Sequence, residues 1–330
     1  MSSHMQKPQS FELQEVLQAT QGVVLQNSQS HFQSVQTDTR KNLAGALFIA
    51  LKGDRFDAHD FIDQAVAAGA AGVVIHKDLG RLPESLPKSL TVIKVDDTLK
   101  ALQQLGQAAR RRSRARFIGI TGSNGKTSTK EFAAQIVGTK HRVHYSKGSF
   151  NNHWGVPMTL LDMPDDIDFA FIEMGMNHAG EITELIHIAE PDIVVCTMVG
   201  RAHIEFFGSQ EKIAEAKKEI YQETTKTPIR IFNLDNEFTR KMLATYQNQG
   251  HVVTFSESDP NADVCLKIKT SKIDRMVIKG RIKNIESETE VNVFGLHNIT
   301  NLMAAATIAL ACGMTPDEIW KGLPACRGAW

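Results

Sequence analysis

The sequence is short of several features that would fix a function at once. It has no excess of charge: Lys+Arg and Asp+Glu both number 37 in 330 residues. That balance removes the usual argument for a dedicated nucleic-acid or membrane-surface binder, so neither partner is expected. Its four cysteines, Cys196, Cys265, Cys312 and Cys326, are widely spaced and form no CxxC pair. They read as reduced thiols, and a cytoplasmic location is expected. No apolar run approaches the roughly 18 residues of a transmembrane helix, and no secretory signal is visible. Internal repeats and low-complexity tracts are missing too. What remains is 42% hydrophobic and 22% charged, ordinary for a globular protein, and long enough for about two domains. The opening MSSHM (residues 1–5) reads as an expression-vector remnant and is left out of fold reasoning.

Short apolar runs and amphipathic segments alternate at first. ALFIALKG (Ala46–Gly53), GVVIHK (Gly72–Lys77) and LTVIKV (Leu90–Val95) read as strands; HDFIDQAVAAGA (His59–Ala70) and Leu99–Arg112 read as helices. This is a small α/β domain, placed at residues 6–112. The basic run ARRRSRAR (Ala109–Arg116) reads as a helix end and linker, where cations suit the C-terminal carbonyls. Beyond it, over residues 113–330, RFIGIT (Arg116–Thr121), DFAFIEMG (Asp168–Gly175), PDIVVCTMVG (Pro191–Gly200) and IRIFNLD (Ile229–Asp235) are near-continuous apolar runs of the kind buried on both faces of a parallel sheet. With helical segments between them, the expected fold is α/β: a doubly wound, mostly parallel sheet carrying a phosphate loop. Short β runs follow from Val264 to Phe294, then helices at Asn298–Gly313 and Thr315–Leu323.

The phosphate loop is the strongest signal. A strand runs into GITGSNGKTS (Gly119–Ser128) and a helix bearing Phe132, Ala133, Ile136 and Val137 runs out. Gly122 and Gly125 let the backbone of Ser123 and Asn124 curl so that successive N–H groups face a phosphate. The helix N-terminus, through Lys126, Thr127 and Ser128, adds partial positive charge. Lys126 supplies a full charge to the β/γ-phosphates of ATP, and the Thr127 hydroxyl suits Mg²⁺. The pattern departs from GxxxxGK[ST], because Ile120 stands where its first glycine belongs.

That departure carries a resemblance. TGSNGKTS resembles the TGTNGKT loop of the Mur ligases and their folylpolyglutamate synthase relatives, which phosphorylate a carboxylate with ATP and let an amine displace the phosphate. The resemblance implies that Glu173, in FIEMGMNHAGEI, and His203, in VGRAHIEFFGS (Val199–Ser209), are Mg²⁺ ligands with Thr127. It also implies that Lys217, in IAEAKKEIY (Ile213–Tyr221), carries a carbamate. An ammonium beside Mg²⁺ has the wrong sign, and carbamylation makes it an oxygen donor. Lys126, Glu173, His203 and Lys217 are thus the implied catalytic set. Asn301, in HNITNLMAAATIA (His297–Ala309), and Asn152, in NNHWGVPMTLL (Asn151–Leu161), are implied at the nucleotide base. Asn298 is otherwise a good helix N-cap.

SVQTDTRKNLAGALFIALKGDRFDAHDFIDQAVAAGA (Ser34–Ala70) is similar to the domain of Mur ligases that add the third residue or the terminal dipeptide, with Ala58 where the pattern has glycine. Asp38, Thr39 and Arg40 match the motif at the UDP end of the substrate, a guanidinium and a hydroxyl suited to diphosphate or uracil. The combined motifs look most like the dipeptide-adding branch, which implies UDP-N-acetylmuramoyl-tripeptide and D-alanyl-D-alanine as substrates and a monomeric enzyme of peptidoglycan precursor synthesis. Family members carry a third, C-terminal domain. This chain stops at PACRGAW (Pro324–Trp330), so an inactive fragment of a longer ligase is expected. The alternatives are a sister ligase adding the third amino acid, a folylpolyglutamate-type ligase, a nucleotide-binding module without turnover, and a nucleic-acid-stimulated ATPase using Ala109–Arg116.

Overall fold

The computed structural model describes residues 9–53, 56–76, 86–202 and 204–328. The chain divides into two compact units. One runs to Ser113 and takes in Pro157–Asp165; the other comprises Arg114–Val156 and the chain from Asp166 onward. The segment 157–165, read from sequence as part of the central domain, therefore belongs to the first unit: Met158 and Leu161 sit in one core with Phe11, Phe32, Ile93 and Leu105.

Among the described residues, the first unit is built on a five-stranded sheet in the order Val23–Gln26, Thr91–Lys94, Gly72–Ile75, Ala46–Ile49, Ser34–Gln36, in which only the Val23–Gln26 edge is antiparallel. Successive strand residues alternate between two cores. Leu47, Ile49, Val74 and Ile93 face one, with Leu102 and Leu105 of helix Thr98–Arg112. Ala46, Phe48, Val73, Ile75 and Val92 face the other, with Ile62. Both faces are covered, so the strands read as unbroken apolar runs. Asp97 starts helix Thr98–Arg112 by accepting from the backbone N–H of Leu99 and Lys100. At the other end the basic run is tied down. Arg110 is buried, and Arg112 pairs with Glu15 at 2.8 Å while its guanidinium lies 4.7 Å from the Phe11 ring centre.

The second unit carries, among the described residues, a nine-stranded sheet. Its order is Ile285–Val291, Met276–Ile282, Val264–Ser271, Val252–Phe255, Ile229–Asn233, Ile193–Cys196, Arg116–Thr121, Phe169–Glu173, Val143–Tyr145. All pairs are parallel except the two antiparallel ones joining the last three strands in sequence. The first strand of this unit, Arg116–Thr121, is an inner strand, and the chain fills one side of it before crossing to the other. That reversal opens a crevice beyond its carboxyl end, the usual ligand position in such sheets. Helices Lys126–Val137 and Asn298–Ala311 share a core with Ile118, Ile120, Val195 and Ile231 through Phe132, Ile136, Leu302 and Ile308. The α/β, mostly parallel fold expected from sequence is the fold observed. Among the described residues no helix is long and apolar enough to cross a membrane.

Candidate active site

Three strand ends converge in the second unit. Arg116–Thr121 leads into the phosphate loop, Phe169–Glu173 ends on its glutamate, and Ile193–Cys196 leads into residues that brace the loop. Gly122 has φ +149°, and a Cβ there would lie 1.9 Å from Thr197 Oγ1. Gly125 has φ +79°, and its Cβ would lie 2.2 Å from Asn301 Oδ1. Only glycine fits either position. Thr197 Oγ1 donates to the Asn124 carbonyl (2.6 Å), Ser123 N–H to the Met198 carbonyl (2.8 Å), and Gly200 N–H to Ser123 Oγ (2.8 Å). The Ser123 side chain is therefore spent on the loop's own shape, while Asn124 is exposed at its tip. No side chain caps the helix that begins at Lys126, so its first-turn N–H groups, including those of Thr127 and Ser128, remain free to meet an anion.

Lys126 folds back and donates to the Gly122 carbonyl at 3.0 Å. Burial lowers its pKa, partly offset by the negative charge of Glu173. Thr127 Oγ1 donates to Glu173 Oε2 at 2.9 Å. Glu173 is 1% exposed, and its other oxygen accepts from Ser149 Oγ (2.9 Å) and Asn151 Nδ2 (2.8 Å). Lys130, also fully buried, approaches Oε2 at 3.4 Å. A hydroxyl and a carboxylate at the phosphate end of the loop are oxygen donors that suit Mg²⁺. Among the described residues no group of three or more His, Cys, Asp and Glu comes together. A cation here would complete its shell with phosphate oxygens and water, as Mg²⁺ commonly does.

Lys217 lies on helix Gln210–Lys218 and is 1% exposed. Burial lowers its pKa to about 8; nearby Cys196 raises it and nearby Lys126 lowers it further. Cys196 is pushed up to about 11 by its own burial and stays a neutral thiol. His203 lies outside the described residues.

The two asparagines differ from one another. Asn152 spends its Oδ1 on the N–H groups of Trp154 and Gly155, and with Lys126, Asn151, His153, Asn177 and Glu184 it lines a cavity of about 330 Å³. Asn301 is buried behind the loop, its amide donating to Asn298 Oδ1 at 2.9 Å and its oxygen facing Gly125. That leaves it little surface for a nucleotide base. Asn298 is the first helical residue rather than the cap, which is His297. In the first unit, Arg40 forks onto Asp38 (Nε 2.9 Å, Nη2 2.8 Å) and holds its carboxyl down to about pKa 2. The Arg40 side chain is 88% exposed, and Thr39 between them is half-buried. Sequence reading missed Lys130, Ser149, Asn151 and Thr197. Asn151 and Thr197 stand inside the segments Asn151–Leu161 and Pro191–Gly200, while Lys130 lies beyond the loop motif, and nothing local distinguishes a lysine that ends in a buried ion pair.

The chain matches two family models, the Mur ligase middle domain over residues 120–309 and the Mur ligase family catalytic domain over residues 31–110. It is 39% identical to the UDP-N-acetylmuramoyl-tripeptide--D-alanyl-D-alanine ligase of Bacillus subtilis over 298 residues, which cover 90% of this chain and 63% of that protein. Its structure resembles MurF from Acinetobacter baumannii (TM-score 0.88, 31% identity, 98% of this chain and 70% of that one). It also resembles MurF ligase from Thermotoga maritima in complex with ADP (TM-score 0.77, 25% identity, 90% and 66%). The chain thus spans less than two thirds of the length of the Bacillus subtilis relative. With the middle-domain model covering more than half of it, the chain belongs to the Mur ligase family.

Proposed function

We propose that the whole protein joins D-alanyl-D-alanine to UDP-N-acetylmuramoyl-tripeptide, converting ATP to ADP and phosphate, and that the second unit is its ATP-handling part. The observation that carries this reading is the meeting of an uncapped helix N-terminus, Lys126 and the Thr127–Glu173 pair at one sheet edge, beside the 330 Å³ cavity. The ADP named for the Thermotoga maritima relative supports the nucleotide.

In this reading the loop N–H groups hold the β-phosphate, and Lys126 leaves the Gly122 carbonyl for the β/γ-phosphates. A buried ammonium with only a carbonyl partner gains from an anion. Thr127 and Glu173, joined by His203 and by Lys217 as its carbamate, hold Mg²⁺, which supplies charge neutralisation at the phosphoryl oxygens. A terminal carboxylate oxygen of the tripeptide attacks the γ-phosphorus, the bond to the β–γ bridging oxygen breaks, and ADP leaves. The dipeptide amine then attacks the acyl carbon, the amide forms, and phosphate departs as the amine loses its proton. The protein's contribution is position and electrostatics rather than covalent chemistry. Burial equips Lys217 for carbamylation, since only the neutral amine adds to CO₂ and a pKa of about 8 leaves about a tenth of it neutral at pH 7. The exposed fork of Arg40 on Asp38, with the Thr39 hydroxyl, is the proposed contact to the UDP end.

Phosphate release by the whole protein tests this. Release is expected to require both the UDP-muramoyl tripeptide and D-alanyl-D-alanine. Stimulation by a free amino acid in place of the dipeptide, with the UDP-dipeptide as acceptor, overturns it in favour of a sister ligase.

A further inference from the structure

Lys130 is a buried charge in the second unit, beside the candidate site, that the reaction above leaves unused. It sits one turn beyond Lys126 on the loop helix and is fully buried. A buried ammonium is costly unless paired and hydrogen-bonded. Here it has two partners: it donates to the Gly148 carbonyl at 2.5 Å and to Glu173 Oε2 at 3.4 Å. Besides the Thr127 hydroxyl on Oε2, the same short stretch of chain supplies the contacts to the other Glu173 oxygen. Ser149 Oγ and Asn151 Nδ2 both donate to Oε1, and Asn151 Nδ2 also donates to Ser149 Oγ at 2.7 Å. The Asn151 carbonyl accepts from Gly175 N–H at 2.7 Å, just past the strand that carries Glu173. Asn151 also lines the cavity beside Lys126.

We propose that Lys130 is a positioning residue: its ammonium clamps the Gly148–Asn151 loop to Glu173, aiming Oε2 at the phosphate end of the site and tying the cavity wall to the carboxylate that holds the divalent cation. The inference rests on the reading of Glu173 as a Mg²⁺ ligand. A point charge on a flexible stem is suited to the task, because it satisfies a carbonyl and a carboxylate at once without touching substrate. Without it, Oε2 keeps only the Thr127 hydroxyl, and the loop bearing Ser149 and Asn151 loses its charged tie to Glu173. Groups behind a metal ligand commonly matter by about 10–100-fold in metal affinity.

The test is Mn²⁺ binding to the ADP complex of this chain, followed by electron paramagnetic resonance, with calorimetric ADP binding in the absence of metal as its control. Lys130→Met is expected to weaken Mn²⁺ by about 10–100-fold while metal-free ADP affinity changes by less than about threefold, and Lys130→Arg is expected to recover part of the loss. Unchanged Mn²⁺ affinity, or an equal loss of metal-free ADP binding, overturns the proposal. The unmutated chain gives a second measurement should Lys130→Met not fold. Adding Mn²⁺ to its ADP complex is expected to slow amide exchange over residues 147–151, and no change there also overturns the clamp. If the unmutated chain binds no Mn²⁺ with ADP, the metal reading of Glu173 itself falls.

Discussion

Replacing Gly125 by alanine puts the loop's shape to a direct test. Two costs add at that position. The backbone has φ +79°, where an alanine is disfavoured by about 1–2 kcal/mol. The new methyl also falls 2.2 Å from Asn301 Oδ1, and Asn301 cannot retreat easily because it is buried and its amide is paired with Asn298. Overpacking of this kind costs about 1–3 kcal/mol. Together they disfavour the native loop by about 2–5 kcal/mol, which corresponds to roughly 30-fold to several-thousand-fold in nucleotide affinity, at 1.4 kcal/mol per tenfold. The loop can relieve the strain by moving, so affinity is expected to fall much further than global stability. ADP titration calorimetry and thermal melting measure the two separately. Combining Gly125→Ala with Asn301→Ser removes the collision but leaves the backbone strain, so the double variant is expected to recover the packing share alone. If Gly125→Ala binds ADP within about threefold of the unmutated chain, the close approach of Asn301 is not what shapes the loop.

Other perturbations read other parts of the site. Glu173→Gln leaves the buried Lys130 ammonium without its counter-charge, so urea denaturation is expected to show a loss of about 3–5 kcal/mol. Adding Lys130→Met to Glu173→Gln is expected to return part of that loss; a strictly additive loss refutes the pairing. Lys217 has its folded pKa lowered to about 8 against an ordinary 10.5. The unfolded chain therefore binds the proton more tightly, and in CO₂-free buffer stability rises with pH between those values. Lys217→Met is accordingly expected to stabilise the chain at pH 7, by up to about 3 kcal/mol, and to lose that advantage near pH 10.5; a pH-independent effect refutes it. Asp38 has its folded pKa lowered to about 2, so its contribution is present above its unfolded value and lost as pH falls through 2. The Asp38–Arg40 pair is largely exposed, and Asp38→Asn is expected to cost less than about 1 kcal/mol at neutral pH by thermal melting, while weakening any uridine-nucleotide binding at that fork.

The loop, the strand before it and the helix after it were legible because their causes are local. Glycines at Gly122 and Gly125, an apolar run at Arg116–Thr121 and the helical spacing of Phe132, Ile136 and Val137 lie within one short stretch. The alternation of strands and helices likewise announced a parallel sheet, since burial on both faces leaves its mark on every residue of Phe169–Glu173 and Ile193–Cys196. The partners of these elements were not legible in the same way. Sequence shows Lys130 and Lys217 as ordinary polar residues on amphipathic helices. Only the packing of those helices against the sheet removes both from water and gives one a carboxylate and the other, among the described residues, none. The resemblance implied Asn301 at the nucleotide base, but sequence does not show that it is buried with its side-chain oxygen toward Gly125. Segment 157–165 lies within the central region in sequence but supplies Met158 and Leu161 to the core of the other unit. Sequence by itself determined the elements and the chemistry of the loop, because backbone conformation and hydrophobic period act over a few residues. The tertiary structure alone decided which distant side chains share a buried charge, because desolvation and Coulomb energy depend on distance through space.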